Sequence, residues 1–131
     1  MRRPPVPTFV PYFAYQDAAA AIDWLESAFG FAVTRRIDGE DGALVHAELR
    51  FGDDGLLMVG SATVEHAPVD RPSSYGIYAR VEDVDAHHDR AKAAGAEIVL
   101  DPEDTEWGAR QYRVLDLDGY EWTFGSYASD R

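Results

Sequence analysis

Two stretches of this chain repeat the same residue pattern at a nearly constant distance. An aspartate, an Ala-rich amphipathic segment and a closing glycine occur at residues 17–30 and again at 83–95. The Asp-Gly segment at 54–61 is likewise matched by the segment at 118–126. The offset stays between 64 and 66 residues, which indicates duplication of a whole supersecondary unit. Because two copied half-sheets that face each other leave a cleft, the repeat also predicts where a ligand binds.

Length and composition are those of one globular domain, which we expect to span residues 1–131 with a core shared by both copies. The chain has no cysteine, which excludes disulfides, thiolate metal sites and a cysteine nucleophile, and which suits a reducing compartment. No apolar run approaches the ~20 residues that cross a bilayer. Residues 1–5 lack the apolar core of a signal peptide. We therefore expect a cytoplasmic protein without a membrane partner.

The charge balance narrows the class of partner. Twelve basic and 24 acidic side chains leave a net charge of −12. Such a surface repels phosphate backbones, which argues against nucleic-acid binding. It attracts cations, although salt screens this attraction beyond ~8–10 Å. A small-molecule ligand is the partner that fits these constraints.

Periodicity predicts the same order of elements in each copy: a strand, a helix and three strands. Module one covers about residues 8–61, a linker about 62–73, and module two about 74–127. Asp17 and Asp83 suit helix N-caps, and a glycine suits each helix end. In module two we expect a short strand at 97–100 followed by a polar loop at 101–107.

These landmarks together resemble the vicinal oxygen chelate superfamily, which includes glyoxalase I, bleomycin-resistance proteins and extradiol dioxygenases. The segments that carry the resemblance are Ala14–Ala21, Ala28–Phe31, Val81–Asp85, Arg90–Ala96 and Asp116–Phe124. The resemblance implies an α+β fold in which two tandem βαβββ modules form half-open barrels around a cleft. It also implies a homodimer. It does not imply one function, because this fold carries isomerases, lyases, dioxygenases and plain binding proteins.

The resemblance also indicates where a metal would be held. Many enzymes of the superfamily bind a divalent ion with His, Gln or Glu from the first and last strands of each module. We count from the capping aspartates Asp17 and Asp83 and from the turn glycines, for which Gly55 is aligned with Gly119. The count brings these positions to Val10, Val59, Gly76 and Thr123. Valine and glycine have no coordinating side chain, and threonine is a poor ligand. We therefore expect no metal and no other cofactor.

A displaced site is the alternative. His46 and Glu48 lie two residues apart on one face of a strand, and Glu121 belongs to the last strand of module two. One imidazole and two carboxylates can bind a metal or transfer protons. These three residues are therefore the candidate catalytic groups. The alternative interpretation is that His46 and Glu48 simply hydrogen-bond to each other.

Strand alternation predicts the lining of the cleft. If the four positions Val10, Val59, Gly76 and Thr123 face it, then the residues two further along or back do too: Tyr12, Leu57, Tyr78 and Glu121. The same rule applied through the repeat makes Arg110 and Tyr112 the counterparts of His46 and Glu48. The predicted ligand-binding residues are Tyr12, His46, Glu48, Leu57, Val59, Tyr78, Trp107, Arg110, Tyr112, Glu121 and Thr123. Trp107 either covers the ligand or anchors its loop on the core, and several of the aromatics could instead pack at a dimer seam. Trp122 should face the core.

Two functions therefore remain open. The first is a metal-free binding protein that sequesters an aromatic or cationic molecule, such as an antibiotic, in the clefts of a homodimer. The second is a lyase, isomerase or dioxygenase that uses the displaced site.

Overall fold

The computed structural model describes residues 7–62 and 76–127, and over these residues it contains two helices and eight strands. The predicted α+β class with two βαβββ modules is confirmed. The chain divides into two compact units between Asp70 and Arg71. Most of the predicted linker, 62–73, lies outside the described residues. A core shared by both modules stays a prediction.

Each module contributes one helix and one four-stranded sheet. The elements of module one are β1 (Tyr12–Tyr15), α1 (Ala18–Phe29), β2 (Ala32–Asp38), β3 (Leu44–Phe51) and β4 (Gly55–Ser61). Those of module two are β5 (Ile77–Arg80), α2 (Val84–Ala93), β6 (Glu97–Asp104), β7 (Arg110–Leu115) and β8 (Glu121–Gly125). No helix in these described ranges is long and apolar enough to cross a membrane.

Both helices begin and end as the sequence predicts. The Asp17 carboxylate accepts a hydrogen bond from the Ala20 amide at 3.0 Å, and the Asp83 carboxylate accepts one from a backbone amide of α2 at 3.0 Å. These caps satisfy amides that have no partner within the helix. Gly30 (φ 88°) and Gly95 (φ 90°) then adopt the left-handed conformation that ends a helix and that only glycine adopts at little cost.

The two sheets have the same topology. Their strand orders are β1-β4-β3-β2 and β5-β8-β7-β6, with the first pair of each parallel and the other pairs antiparallel. In a parallel βαβ-type connection the helix packs back onto the sheet. Each sheet therefore has a helix-covered face, which contains the module's core, and an opposite face that the module's own helix leaves uncovered. We call the latter the open face.

Burial identifies the two faces. In module one the helix-covered face carries Tyr15, Ala47, Leu49, Leu57 and Val59, all fully or almost fully buried. In module two it carries Tyr112, Val114, Trp122 and Phe124, and the rings of His87 on α2 and Phe124 lie 4.1 Å apart between centroids. The prediction that Trp122 faces the core is confirmed.

One strand is longer than the sequence predicts. Strand β6 continues from Leu100 to Asp104, where a polar loop was expected, and Asp104 pairs with Arg110 of β7. The expected loop at 101–107 is wrong in its first four residues. The segment contains Pro102, which fits here because β6 is an edge strand and its pairing with β7 is irregular between Leu100 and Glu103.

Candidate functional site

The open face of module one has an aromatic edge and a charged centre. Across the sheet, Tyr12 of β1 pairs with Met58 of β4, Met58 with Glu48 of β3, and Glu48 with Arg35 of β2. We call these four residues the first row. Paired residues in neighbouring strands point to the same side of a sheet, so the first row is a continuous strip on the open face.

Tyr12 lies over a glycine on this face. A Cβ added to Gly60 would overlap the Tyr12 hydroxyl and would lie 3.0 Å from its Cζ. The absence of a side chain at Gly60 therefore lets the ring lie along the sheet. Tyr12 remains 46% exposed in this position, so much of the ring is available for contact.

His46 and Glu48 form a pair next to the first row. The two residues are two positions apart in β3, so their side chains lie on the same side of the strand, and His46 Nε2 lies 3.2 Å from Glu48 Oε2. The side chains are 26% and 30% exposed, so the pair is partly buried but accessible. The arrangement can hold and transfer a proton, because imidazole and carboxylate are within hydrogen-bond reach. The two side chains are within hydrogen-bond distance, as the alternative interpretation expects.

The open face of module two repeats the design with different chemistry. Tyr78 of β5 pairs with Thr123 of β8, Thr123 with Arg113 of β7, and Arg113 with Leu100 of β6. We call these four residues the second row. Strand pairing makes it the counterpart of the first row, with Thr123 in place of methionine and Arg113 in place of glutamate.

Tyr78 repeats the arrangement of tyrosine over glycine. A Cβ added to Gly125 would lie 2.6 Å from Tyr78 Oη and 3.0 Å from Tyr78 Cε2. The hydroxyl donates to the carbonyl of Tyr127 at 3.1 Å, and the ring is 43% exposed. Burial raises the pKa of the Tyr78 hydroxyl above its usual value of 10.0.

Arg113 is the central cation of the second row. Its Nε lies 3.1 Å from Glu121 Oε2, with the two side chains 38% and 22% exposed. The N–H does not point at this oxygen, so among the described residues the buried Nε has no hydrogen-bond partner although the charges are in contact. A buried donor without an acceptor costs about 1–3 kcal/mol. The site therefore contains a cation whose hydrogen bonding is incomplete.

Three residues of module two lie on one face as predicted, whereas two residues of module one do not lie on the face predicted for them. Tyr78, Glu121 and Thr123 share the open face. Leu57 and Val59, in contrast, are fully buried on the helix-covered face, away from Tyr12.

The turn before the last strand explains the error. The prediction aligned Gly55 with Gly119. In the structure Gly55 already belongs to β4 and the left-handed residue of that turn is Gly52 (φ 62°), whereas Gly119 (φ 87°) occupies the turn itself. A turn glycine at a different position shifts the count by one, and a shift of one reverses the faces. Met58 therefore corresponds to Thr123.

The prediction that Arg110 and Tyr112 correspond to His46 and Glu48 is wrong for the same reason. The Arg110 guanidinium binds the Asp85 carboxylate through two bonds of 3.0 Å, at the start of α2, and Asp104 through one of 3.1 Å. Tyr112 is buried, and its hydroxyl lies 2.6 Å from Nδ1 of His87. Both residues organise the helix side of the sheet.

The true counterparts follow from the pairing. His46 pairs with Gly60 and Gln111 pairs with Gly125, so Gln111 is the counterpart of His46. Glu48 and Arg113 correspond in the same way through Met58 and Thr123. Met58, Gln111 and Arg113 were missed, although an offset of 65 residues, which lies within the range of the repeat, relates each of them to its counterpart in the other module.

Trp107 projects from the β6–β7 loop. It is 63% exposed, while the loop closes through a hydrogen bond from the Thr105 amide to the Ala109 carbonyl at 2.8 Å. The expectation that Trp107 anchors the loop on the core is wrong. Its predicted part in ligand binding stays a prediction.

Comparison with known proteins decides the family. The sequence profile of the glyoxalase/bleomycin resistance protein/dioxygenase superfamily matches residues 10–124. The chain belongs to this superfamily. The resemblance read from the sequence is thereby confirmed, and the profile covers both rows.

Several known proteins are similar to this chain over nearly its whole length. Mb0911c of Mycobacterium bovis and Rv0887c of Mycobacterium tuberculosis, both uncharacterised, are 37% identical over 131 residues; the match covers 91% of this chain and 82% and 74% of theirs. The crystal structure of TioX from Micromonospora sp. ML1 is 38% identical, with a TM-score of 0.75 over 95% of this chain and 99% of that one. TnmS3, an antibiotic binding protein from Streptomyces sp. CB03234, is 23% identical, with a TM-score of 0.69 over 91% and 93% of the two chains; this likeness shows the fold.

Strand pairing changes one of the metal positions predicted from the resemblance. Met58, not Val59, is the counterpart of Thr123, because each pairs with the first-strand tyrosine of its module, so the predicted last-strand position of module one moves to Met58. Methionine is a soft thioether ligand that suits Cu(I), and threonine is a poor ligand, so neither fits the hard or borderline divalent ions of these enzymes. Within residues 7–62 and 76–127, no three His, Asp or Glu side chains cluster closely enough to hold a metal.

Proposed function

We propose that this superfamily member binds a small planar aromatic molecule on its open faces and that this binding needs no catalytic metal. The observation that carries the proposal is the repeated tyrosine on the open face. Tyr12 and Tyr78 occupy equivalent positions, each lies over a glycine, and each leaves more than two-fifths of its surface exposed. Binding of a ligand that stacks on an aromatic ring accounts for the presence of an exposed tyrosine in both modules.

The physical basis is the stacking of flat surfaces. An aromatic side chain supplies a large contact area, and pairs of rings add about 0.5–1.5 kcal/mol beyond the area they bury. A ring that already lies along the sheet loses little further freedom when a ligand covers it. Tyr12 and Tyr78 therefore form two preorganised platforms.

The chemistry of the metal positions points the same way. Val10, Met58, Gly76 and Thr123 lack the imidazole and carboxylate groups that the superfamily's enzymes use. TnmS3, an antibiotic binding protein, illustrates that the fold accommodates an antibiotic. An aromatic antibiotic is thus the ligand class that we propose. The expected homodimer remains part of this proposal, and light scattering on the purified protein tests it.

Calorimetric titration tests the proposal. The wild-type protein should bind at least one member of a panel of bicyclic and tricyclic aromatics, and Tyr12→Ala or Tyr78→Ala should weaken this binding about threefold or more. Leu117→Ala is the matched control, because Leu117 is 46% exposed in the β7–β8 turn and belongs to neither row. A panel that leaves the wild-type protein unaffected would refute the proposal.

The second candidate is an enzyme of the superfamily. The observation that favours it is the His46–Glu48 pair, which is partly buried and 3.2 Å apart. Glu121 is now assigned to an ion pair with Arg113, so the acid–base role rests on His46 and Glu48. Stoichiometric metal that survives dialysis, lost in His46→Ala and Glu48→Ala but retained in Tyr12→Ala, would establish this alternative over the first.

A further inference from the structure

Equivalent positions of the two open faces carry opposite charges. Glu48 and Arg113 occupy the same place in their rows, each paired with the residue that in turn pairs with the tyrosine. The fold therefore accepts a carboxylate or a guanidinium there, and sheet formation does not require Arg113. Its presence calls for another explanation.

We propose that Arg113 anchors an oxygen acceptor of the ligand, which makes the ligand an aromatic molecule with a carboxylate or carbonyl group rather than a simple cation. This inference rests on the proposed function and specifies its ligand. The ring stacks on Tyr78 while the oxygen meets the exposed end of the guanidinium.

The spacing within the second row suits such a ligand. Tyr78 and Arg113 are separated by two strand intervals, with Thr123 between them. Neighbouring strands lie ~4.8 Å apart, so the two backbones are about 10 Å apart. A two-ring aromatic with an attached acceptor spans this distance once both side chains lean inward. Thr123, between them, has a short side chain.

The state of the guanidinium supports the assignment. A guanidinium has five N–H donors, and among the described residues Glu121 is the charged group that contacts Arg113. That contact is made at the buried Nε without hydrogen-bond alignment, while 38% of the side chain stays exposed. Glu121 thus holds the root of the guanidinium and leaves its amino groups at the surface. Planar, paired donors of this kind match carboxylate geometry.

The overall charge of −12 does not oppose this proposal at short range. Screening in physiological salt limits the repulsion by distant carboxylates to ~8 Å, whereas an acceptor on Arg113 is in direct contact. Recognition by Arg113 is therefore local. It also discriminates, because an ammonium group in the same place would meet a like charge.

The experiment compares two probes that share one ring system, 2-naphthoate and 2-naphthylmethylammonium. We expect the wild-type protein to prefer 2-naphthoate about tenfold or more. Arg113→Gln should weaken naphthoate about 10- to 100-fold and leave the ammonium probe unchanged or tighter. Lys92→Gln, which removes an exposed cation from α2, should change either affinity less than twofold. In the wild-type protein, naphthoate should also shift the Arg113 Nε–H resonance in NMR spectra.

The outcomes separate the two proposals. Two outcomes would overturn the role of Arg113 while the aromatic site stands. The first is preferential binding of the ammonium probe. The second is naphthoate binding that Arg113→Gln leaves unchanged and that does not shift the Arg113 resonance. If neither probe binds, and the wider aromatic panel also fails, both proposals fall. Circular dichroism and the urea midpoint of Arg113→Gln show whether the variant is folded, and the resonance shift needs no variant.

Discussion

Replacing Gly125 by alanine tests directly whether the tyrosine platform depends on glycine. The backbone at Gly125 does not have the left-handed conformation that favours glycine, so the substitution adds no backbone strain. The new methyl group would lie 2.6 Å from Tyr78 Oη and 3.0 Å from Gln111 Cβ. Overpacking costs about 1–3 kcal/mol, and loss of the hydrogen bond to the Tyr127 carbonyl adds about 0.5–1.5 kcal/mol. The better strand propensity of alanine offsets about 0.5–1 kcal/mol. Together these effects should lower the free energy of unfolding by about 0.5–4 kcal/mol, with about 2 kcal/mol as the central value.

A double-mutant cycle isolates the contact. In a Tyr78→Ala background the clash with the ring is absent, so Gly125→Ala should cost about 0.5 kcal/mol or less, which gives a coupling of about 1–2 kcal/mol. Urea unfolding followed by circular dichroism measures all four proteins. Calorimetry with the aromatic probe should show that Gly125→Ala and Tyr78→Ala weaken binding to a similar extent. Free energies that add within about 0.5 kcal/mol would refute the platform, and Gly60→Ala with Tyr12→Ala repeats the test in module one.

Three further predictions concern the support of the site. Asp116 is buried; its Oδ2 accepts a hydrogen bond of 3.0 Å from Trp122 Nε1, and its Oδ1 accepts hydrogen bonds from two backbone amides. Asp116→Ala should lower the free energy of unfolding, measured in urea, by about 3–5 kcal/mol. A loss under about 1 kcal/mol would contradict this prediction. The hydrogen bond from Arg110 lowers the pKa of Asp85 below its usual value of 3.8. The stabilisation of the fold by this ion pair is therefore present above pH 3.8 and is lost as the pH falls below it. Asp85→Asn should make the stability less dependent on pH in the acid range, and an unchanged pH dependence would refute the role of this ion pair. Because Trp107 is exposed, Trp107→Phe should change the free energy of unfolding by less than about 0.5 kcal/mol. It should also abolish the part of the tryptophan fluorescence that acrylamide quenches most readily. Quenching that persists in this variant would show that Trp107 is not the exposed tryptophan.

Much of the fold was predictable because its signals are local. A capping aspartate and a closing glycine bound each helix, and both pairs lie where the sequence indicates. Their repetition at a nearly constant offset predicted two modules with the same order of elements. The proximity of His46 and Glu48 was also predictable, since residues two apart in a strand share a side.

The site in module one was less predictable because it depends on a single-residue register. Gly52 and Gly119 are the left-handed residues of corresponding turns, yet the former opens its turn and the latter closes it. The sequence contains a second glycine at 55 that obscures this difference. Arg113 was missed as a consequence, because the same shift directed attention to its neighbours.

The sequence by itself determined that the chain has two copies of one unit, where each helix begins and ends, and which superfamily it resembles. These are properties of short segments and of their repetition. Only the tertiary structure decided which side of each strand the helix covers. It thereby placed Met58, Arg113 and the two glycines beneath the tyrosine rings on the open face. Alternation divides a strand into two sides without saying which is covered, and that choice is made by strands that pair across long stretches of chain.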